Sequence, residues 1–370
     1  YEMSASLVGS EMCIRDRAYR MYSKDSWTYY NGQWMTVYGL MHNQNRDMKW
    51  EIKKEFDVGL DFSLFNRRLN GRMDYFSRKI EDAIYSGIPV ASPPAVYATS
   101  TVNIGDITNK GFEFELNGRV VDTKDWTFDT SLVGSFVGKS RLEGMAKDTH
   151  MEFQAMPHGG GSAVRIFGGQ EIGRYFLYRF AGVREEDGTP MIYSKDNKVI
   201  PYASGTDEDR VQTGNGLPKA VLSWNNTVRY RNWDLNLFFR SWLGQDVYNV
   251  TDMIQGVNCK ITEGQNLLRT AYRRNKAITN TDRLMLLDYW LEKGDFLKLD
   301  AVTLGYTLPR NKIKYVEKLR CYFTVRNVCT LTGYSGLDPE VNVNGLAPGF
   351  EGMSQYPRTR SFILGIEIGF

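Results

Sequence analysis

From Lys49 onward, apolar and polar residues take turns along the chain. Phe56, Val58, Leu60 and Phe62 fall on one face, with Asp57, Gly59, Asp61 and Ser63 on the other. A period of two is the mark of a strand with one apolar side. After Leu64 to Arg68 the pattern resumes, with Leu69, Gly71, Met73 and Tyr75 set against Asn70, Arg72 and Asp74, which predicts an antiparallel hairpin. A second hairpin is predicted from Phe112, Phe114, Leu116 and Val120 to Trp126, Phe128, Leu132 and Phe136, turning at Val121 to Asp125. A third joins Leu222, Trp224, Val228 and Tyr230 to Trp233, Leu235, Leu237 and Phe239 through Arg231-Asn232. A fourth joins Val302, Leu304, Tyr306 and Leu308 to Leu319, Cys321, Phe323 and Val325 through the basic link Pro309 to Lys318. The chain closes on Phe362, Leu364, Ile366, Ile368 and Phe370.

Loop length sorts by end. Connections within hairpins are about 5, 2 or 10 residues, whereas those between hairpins run to tens of residues: Tyr85 to Ile104, Lys139 to Lys219, Gln245 to Asp295 and Leu331 to Thr359. Short turns at one end and long loops at the other predict an all-β, antiparallel transmembrane barrel segment of about nine or ten strands. The turns would be periplasmic and the loops extracellular. Glu113, Glu115, Arg119, Asp129, Asn225, Arg229, Asp234, Asn236, Arg240, Lys298, Asp300, Arg320 and Arg326 all fall opposite apolar neighbours. A wet lumen would accept them without a buried-charge penalty. Tyr75, Trp126, Tyr230, Trp233, Tyr306 and Phe370 are candidates for interfacial girdles or for ordinary packing on a sheet face.

Composition agrees with strands. The 370 residues include 22 Tyr, 19 Phe, 8 Trp and 35 Gly. Lys plus Arg number 46 against 43 Asp plus Glu, with no run of five like charges, so no nucleic-acid partner is expected. No run of 18 apolar residues exists to form a membrane-spanning helix, a limit that leaves strands untouched. Ser6 to Arg17 read SLVGSEMCIRDR, which resembles a translated sequencing adaptor, so Tyr1 to Arg17 are expected to be non-native and residues 18–370 to be the folded part.

Enzyme chemistry has little to draw on. His158-Gly159-Gly160-Gly161 resembles an esterase oxyanion loop, but no G-x-S-x-G supplies a nucleophile, and the histidines are only His42, His150 and His158. Cys13, Cys259, Cys321 and Cys329 make no CxxC pair, so neither a zinc site nor a disulfide framework is expected. Glu185-Glu186-Asp187-Gly188 and Asp338-Pro339-Glu340 lack EF-hand spacing and read as turns. No catalytic residue, cofactor or metal ligand is therefore assigned. In the long loops Tyr97, Tyr272, Tyr289, Trp290 and Tyr356 could stack on sugars or pack the loops on themselves, and no substrate contact is singled out.

A set of dispersed stretches resembles the SusC/RagA family of TonB-dependent outer-membrane transporters, known from Bacteroidetes. They are FDVGLD at Phe56 to Asp61, Asp74-Tyr75-Phe76, NIGDITNKGFE at Asn103 to Glu113, YRFAGV at Tyr178 to Val183 and GNGLPK at Gly214 to Lys219. Further on come Tyr289-Trp290-Leu291-Glu292, Gly294 to Leu299, VTLGYTLP at Val302 to Pro309, Arg326-Asn327-Val328, YSGLDPEV at Tyr334 to Val341 and YPRT at Tyr356 to Thr359. The resemblance implies the C-terminal part of a 22-stranded barrel, without the signal, TonB-contacting segment and plug. It also implies TonB-energised import of oligosaccharides or peptides by a barrel set in outer-membrane lipid, with a SusD-class surface lipoprotein as lid. A barrel-assembly signal would lie in Phe362, Leu364, Ile366, Ile368 and Phe370. The contrasting reading is a secreted all-β carbohydrate-binding or carbohydrate-degrading module, whose apolar faces would need a second sheet to cover them.

Overall fold

The computed structural model describes residues 18–90, 95–145, 150–155, 161–258, 266–279, 286–309, 316–343, 345–352 and 356–369. Its largest sheet is a meander of β1 (Ile52–Leu64), β2 (Leu69–Glu81), β3 (Asp106–Asp122), β4 (Trp126–Val137), β5 (Ala220–Tyr230), β6 (Trp233–Leu243), β7 (Phe296–Thr307), β8 (Lys318–Thr332) and β9 (Ser361–Gly369). Each strand pairs antiparallel with its sequence neighbours, and the short segment Arg141–Glu143 adds to the upper end of β3. The outer edges of β1 and β9 have no partner strand among the described residues, so the sheet is an unclosed wall.

All four predicted hairpins form; in the second, a bulge at Val120 puts Val121 opposite Phe128 and carries the strand to Asp122, into the predicted turn. The two-residue turn after β5 sets Tyr230 opposite Trp233, with Arg231 at φ 52°. The loop lengths sort by end as expected, because every link between hairpins leaves the wall at the same edge.

Because the side-chain period is two, the register gives the wall one apolar face. One row at the short-turn end runs Trp126, Tyr230, Trp233, Tyr306. Its rings touch, at 4.3 Å for Trp126 to Tyr230 and 4.8 Å for Trp233 to Tyr306. A second row, Tyr75, Phe112, Phe136, lies toward the loops. Ten residues of β4 separate Trp126 from Phe136, about 34 Å of strand at about 3.4 Å per residue and about 26 Å across a membrane at a tilt of about 40°. That matches the apolar band of an outer-membrane barrel, about 25 Å tall. The face has no cover: Leu364 is 79% exposed, and Phe56, Leu60, Phe323 and Ile366 are also exposed. Glycine is required where rings lie flat on this wall. A Cβ at Gly134 would sit 2.4 Å from the Phe114 ring, and one at Gly365 would sit 2.2 Å from Tyr322 on the other face.

The hydrophobic core lies in the long loops. Residues 138–219 carry a second sheet built from His150–Ala155, Ser162–Phe167, Tyr175–Val183, Pro190–Tyr193, Val199–Pro201 and Arg210–Thr213. Its Val164, Ile166, Tyr175 and Leu177 pack with Tyr248, Val250, Ile254, Leu287, Trp290 and Phe350 from the two later loops. Ile80, Ile107 and Leu142 join that cluster from the polar face of β2 and β3, placing the loop layer over the lumenal side.

One element was missed by reading from Lys49. Tyr22–Tyr30 and Gln33–Leu40 form a separate hairpin around Asn31-Gly32, at φ 48° and 81°, the left-handed pair that tight hairpins use.

Candidate functional site

The polar face carries ion pairs within and between strands. Arg72 meets Asp74 at 2.8 Å, and Asp129 accepts from Arg119 at 2.8 Å and Arg229 at 3.3 Å. Asp234 accepts from Arg320 at 2.6 Å, and Asp300 from Arg240 at 2.8 Å. In the first three of these pairs the arginines are well exposed, so each contributes little stability singly and their main effect is to keep the face wet and charged. Near the short turns this face forms a polar hollow of about 430 Å³ whose lining includes Arg67, Arg68, Asn70, Arg119, Asp129 and Asn225.

Toward the loops the expectation of a wet surface fails. Lys298 is 1% exposed, and its Nζ donates to Asp338 Oδ1 at 2.8 Å, Asp338 Oδ2 at 3.0 Å and Glu340 Oε2 at 2.8 Å. Arg240 adds a bond to Glu340 at 2.9 Å, and Arg358 reaches Asp338 at 2.9 Å and Glu340 at 3.0 Å. Three cations thus meet Asp300, Asp338 and Glu340 in one network, and charge balance is what makes the burial tolerable. Burial alone would raise the Glu340 pKa, but the bonds from Arg240 and Lys298 win and hold it below the usual range. The Asp338-Pro339-Glu340 turn does exist, with the Glu340 N–H donating to Asp338 Oδ1 at 2.9 Å. The turn aims both carboxylates at the wall, a role that turn chemistry alone does not convey.

Neighbouring locks tie the loops together. Glu292 accepts from the Ser335 N–H at 2.8 Å, the Ser335 hydroxyl at 2.7 Å and Arg274 at 3.1 Å, which outweigh burial and depress its pKa. Fully buried Glu351 accepts from the Tyr334 hydroxyl at 2.8 Å and the Leu337 N–H at 3.0 Å. The buried Tyr175 hydroxyl sits 3.0 Å from the Asp246 carbonyl and 2.9 Å from that of Gly349, where segments of two other loops pair in parallel. Three loops therefore converge on one joint, and Lys298 fastens it to the wall.

The loop aromatics divide by burial. Trp290 is fully buried and Tyr289 meets it edge to face at 4.8 Å between ring centres, so both pack the loops. Tyr97, Tyr272 and Tyr356 are exposed, Tyr356 at 84%, and remain open to a ligand. Asp187 pairs with Arg184 and accepts from Thr189 within a turn closed by Gly188 at φ 69°, as expected for a turn. His42 and His150 lie in different segments, and no metal-binding cluster occurs among the described residues. Cys321 and Cys329 are free and exposed on β8. Phe362, Leu364, Ile366 and Ile368 align on the apolar face of β9, opposite Val325, Phe323, Cys321 and Leu319. Phe370, His158 to Gly160, Cys13 and Cys259 lie outside the described residues.

An uncovered apolar band, a charged inner face and end-sorted loops define the wall of an outer-membrane β-barrel. A family described as TonB dependent receptor-like, beta-barrel matches residues 17–328, and the chain belongs to it. It is similar to TonB-dependent receptor P3 of Formosa agariphila, 27% identical over 88% of this chain and 35% of that protein. TonB-dependent receptor SusC of Bacteroides thetaiotaomicron is 26% identical over 88% of this chain and 32% of its own length. The chain thus spans about a third of the curated relatives it matches. The fold is shared with the RagAB peptide transporter, at a TM-score of 0.77 and 18% identity, over 96% of this chain and 39% of that one. These relatives are receptors and transporters rather than enzymes.

Proposed function

We propose that residues 18–370 form the C-terminal wall and loop layer of a SusC/RagA-type importer that uses TonB to bring oligosaccharides or peptides across the outer membrane, with a SusD-class lipoprotein closing over the loops. On this reading Tyr1 to Arg17 are non-native. The observation that carries the proposal is the joint at Lys298, Asp338 and Glu340. It makes the long loops one stiff layer on the lumenal side, the kind of platform a lid protein can seat on. The matching sequences are those of receptors from two organisms, one of them SusC itself.

The test uses the full-length parent in its native host. Deleting its gene should abolish growth on one class of polymer breakdown product, oligosaccharide or peptide, and an affinity-tagged copy should co-purify a surface lipoprotein. Unimpaired growth on both classes together with purification as a lone polypeptide would overturn the reading. A secreted carbohydrate-active module would instead be released from cells in soluble form, which the bare apolar face of the wall argues against.

A further inference from the structure

The hairpin of Tyr22–Tyr30 and Gln33–Leu40 is a two-stranded ribbon with an aromatic face. Its pairings set Tyr29 beside Trp34, Trp27 beside Thr36, Lys24 beside Tyr38 and Tyr22 beside Leu40 on one side, with the extra residue Asp25 in the bulge. All five rings are exposed, Trp34 at 68%. Tyr29 meets Trp34 edge to face at 5.4 Å, and Lys24 Nζ lies 4.0 Å from the centre of the Trp27 ring. The phenols of Tyr22, Tyr29 and Tyr38 and the indole N–H groups of Trp27 and Trp34 make no hydrogen bond with a described residue. From Ser26 to Asn45 the chain carries no Lys, Arg, Asp or Glu, while amides and hydroxyls are frequent.

The root of the ribbon is fastened. Asn43 Oδ1 accepts from the N–H groups of Val96 and Tyr97, both at 3.0 Å, and its Nδ2 donates to the carbonyls of Tyr97 at 2.6 Å and Thr99 at 2.9 Å. The Tyr97 hydroxyl donates to the Leu40 carbonyl. These bonds fix the ribbon to the long loop between β2 and β3, beside a hollow of about 720 Å³ whose lining includes Arg20, Leu40, His42, Gln44, Val90 and Val96. Leu40 belongs both to the aromatic face and to the hollow, so the two are continuous. No carboxylate lines the hollow, and the exposed Arg20 makes no ion pair with a described residue.

We propose that this face and hollow bind an acidic oligosaccharide, with the carboxylate of one sugar on Arg20 and the sugars next to it stacked on Tyr22, Tyr38 and Trp34. Leu40 to Trp34 spans about 20 Å of strand, room for several sugars in a row. An acyl chain would leave the phenols, the indole N–H groups and the Gln44 amide without partners. A sugar carries C–H groups on its face and hydroxyls at its edge, so it meets the rings and their polar atoms together. A peptide strand would bond along the edge of the ribbon and leave the rings unused. The single unneutralised cation then selects an anionic sugar over a neutral one. The inference rests on the import reading and narrows its substrate class.

The test is calorimetric titration of the purified full-length parent in detergent. The probes are uronate oligosaccharides of graded length, the same chains with every carboxylate reduced to an alcohol, and acidic peptides of matching size. The uronate chains should bind about tenfold or more tightly than their reduced forms, since a hydrogen bond to a charged group is at stake. Arg20→Gln should erase that gap without weakening the reduced forms, and Arg231→Gln, at the opposite rim, should leave it unchanged. Trp34→Ala with Tyr38→Ala should weaken both forms about tenfold, the usual loss when a central aromatic contact is truncated, whereas Trp34→Tyr should keep most of the binding. Heat-modifiable migration checks that each variant folds. An undiminished gap in Arg20→Gln would overturn the carboxylate contact, and full binding by the Trp34 and Tyr38 double variant would overturn the ring face. Tighter binding of the peptides would overturn the ligand class. No binding of any sugar, the result expected if another segment of the parent covers the ribbon, would overturn the site. Because the titration needs no TonB, sugar binding by a parent whose deletion leaves growth unimpaired would support the site and tell against the import reading alone.

Discussion

Replacing Lys298 with Met should release the last long loop while leaving the wall intact. Met keeps most of the side-chain volume and removes the charge, so the change isolates the three bonds from Nζ to Asp338 and Glu340. Breaking a buried ion pair by deleting one partner costs about 3 to 5 kcal/mol, because the other charge is stranded. Here Arg240 and Arg358 stay within 2.9 to 3.0 Å of the same carboxylates, which cuts the expected cost to about 2 to 3 kcal/mol. At about 1.4 kcal/mol per tenfold, local opening should rise roughly 30- to 150-fold. Hydrogen exchange reads this directly, since the amides of Ser335, Leu337 and Glu340 bond to Glu292, Glu351 and Asp338 inside the joint.

In the full-length parent, protection at 335–341 should fall by that factor, while amides in the β5–β6 hairpin stay protected. Asp338→Asn, combined with Lys298→Met, should cost less than the sum of the two, because the pair is coupled. Unchanged protection in the single variant, or an equal loss across β5 and β6, would refute the view that this network is a local fastening.

Three further outcomes are expected. Leu237→Arg places a charge on the lipid face, opposite Val302, and should cost about 2 to 4 kcal/mol, whereas Asn236→Arg, on the lumenal side, should lose about 1 to 2 kcal/mol with its bonds to Asn225 and Thr227; heat-modifiable mobility ranks them, and a reversed order would shift the register by one residue. Glu340 and Glu292 both have depressed pKa values, so they stabilise the joint above the unfolded carboxyl value of about 4.3 and lose that contribution as pH falls through their lower folded values; proteolysis of 333–352 should quicken only below about pH 4, and quickening between pH 5 and 7 would count against it. Deleting Phe370, which we propose completes an assembly signal with Phe362, Leu364, Ile366 and Ile368, should lower the inserted amount of the parent without changing its synthesis, and equal insertion would remove that role.

The wall was legible because a half-exposed strand writes its orientation into a period of two. Phe56 to Phe62 and Phe362 to Ile368 announce both strand and face, and the pairing follows from the turn lengths between them. The Tyr22–Leu40 hairpin broke that rule, since the register shift between Lys24 and Ser26 interrupts the alternation, leaving Asn31-Gly32 as its clearest sign. The loop strands are illegible for another reason. Ala163, Val164, Arg165 and Ile166 are all buried, so both faces of that strand are covered and no alternation survives. Arg165 can take an interior position because Glu152 and Asp207 meet its guanidinium, partners 13 and 42 residues away in sequence.

The resemblance motifs gain a physical meaning at the joint. YSGLDPEV supplies Tyr334 to Glu351, Ser335 to Glu292, Asp338 and Glu340 to Lys298, and Val341 to a small cluster with Val247 and Tyr334. YPRT supplies Arg358 to the same network, and its Arg358 carbonyl accepts from Asn327, which sits at φ 53° beside a bulge in β8. Gly294 to Leu299 brings Lys298 itself, and the Asp295 side chain caps the Gly244 N–H at 2.5 Å. A strand facing lipid needs only apolar residues of suitable size, so its identities can drift. A buried charge network tolerates no such freedom, because each member leaves another unpaired when it is lost. Of the recognisable stretches, YSGLDPEV, YPRT and Gly294 to Leu299 thus mark where loop meets wall. Exposed tyrosines outside these stretches, such as Tyr272, are where variation in what the loops contact can be accommodated.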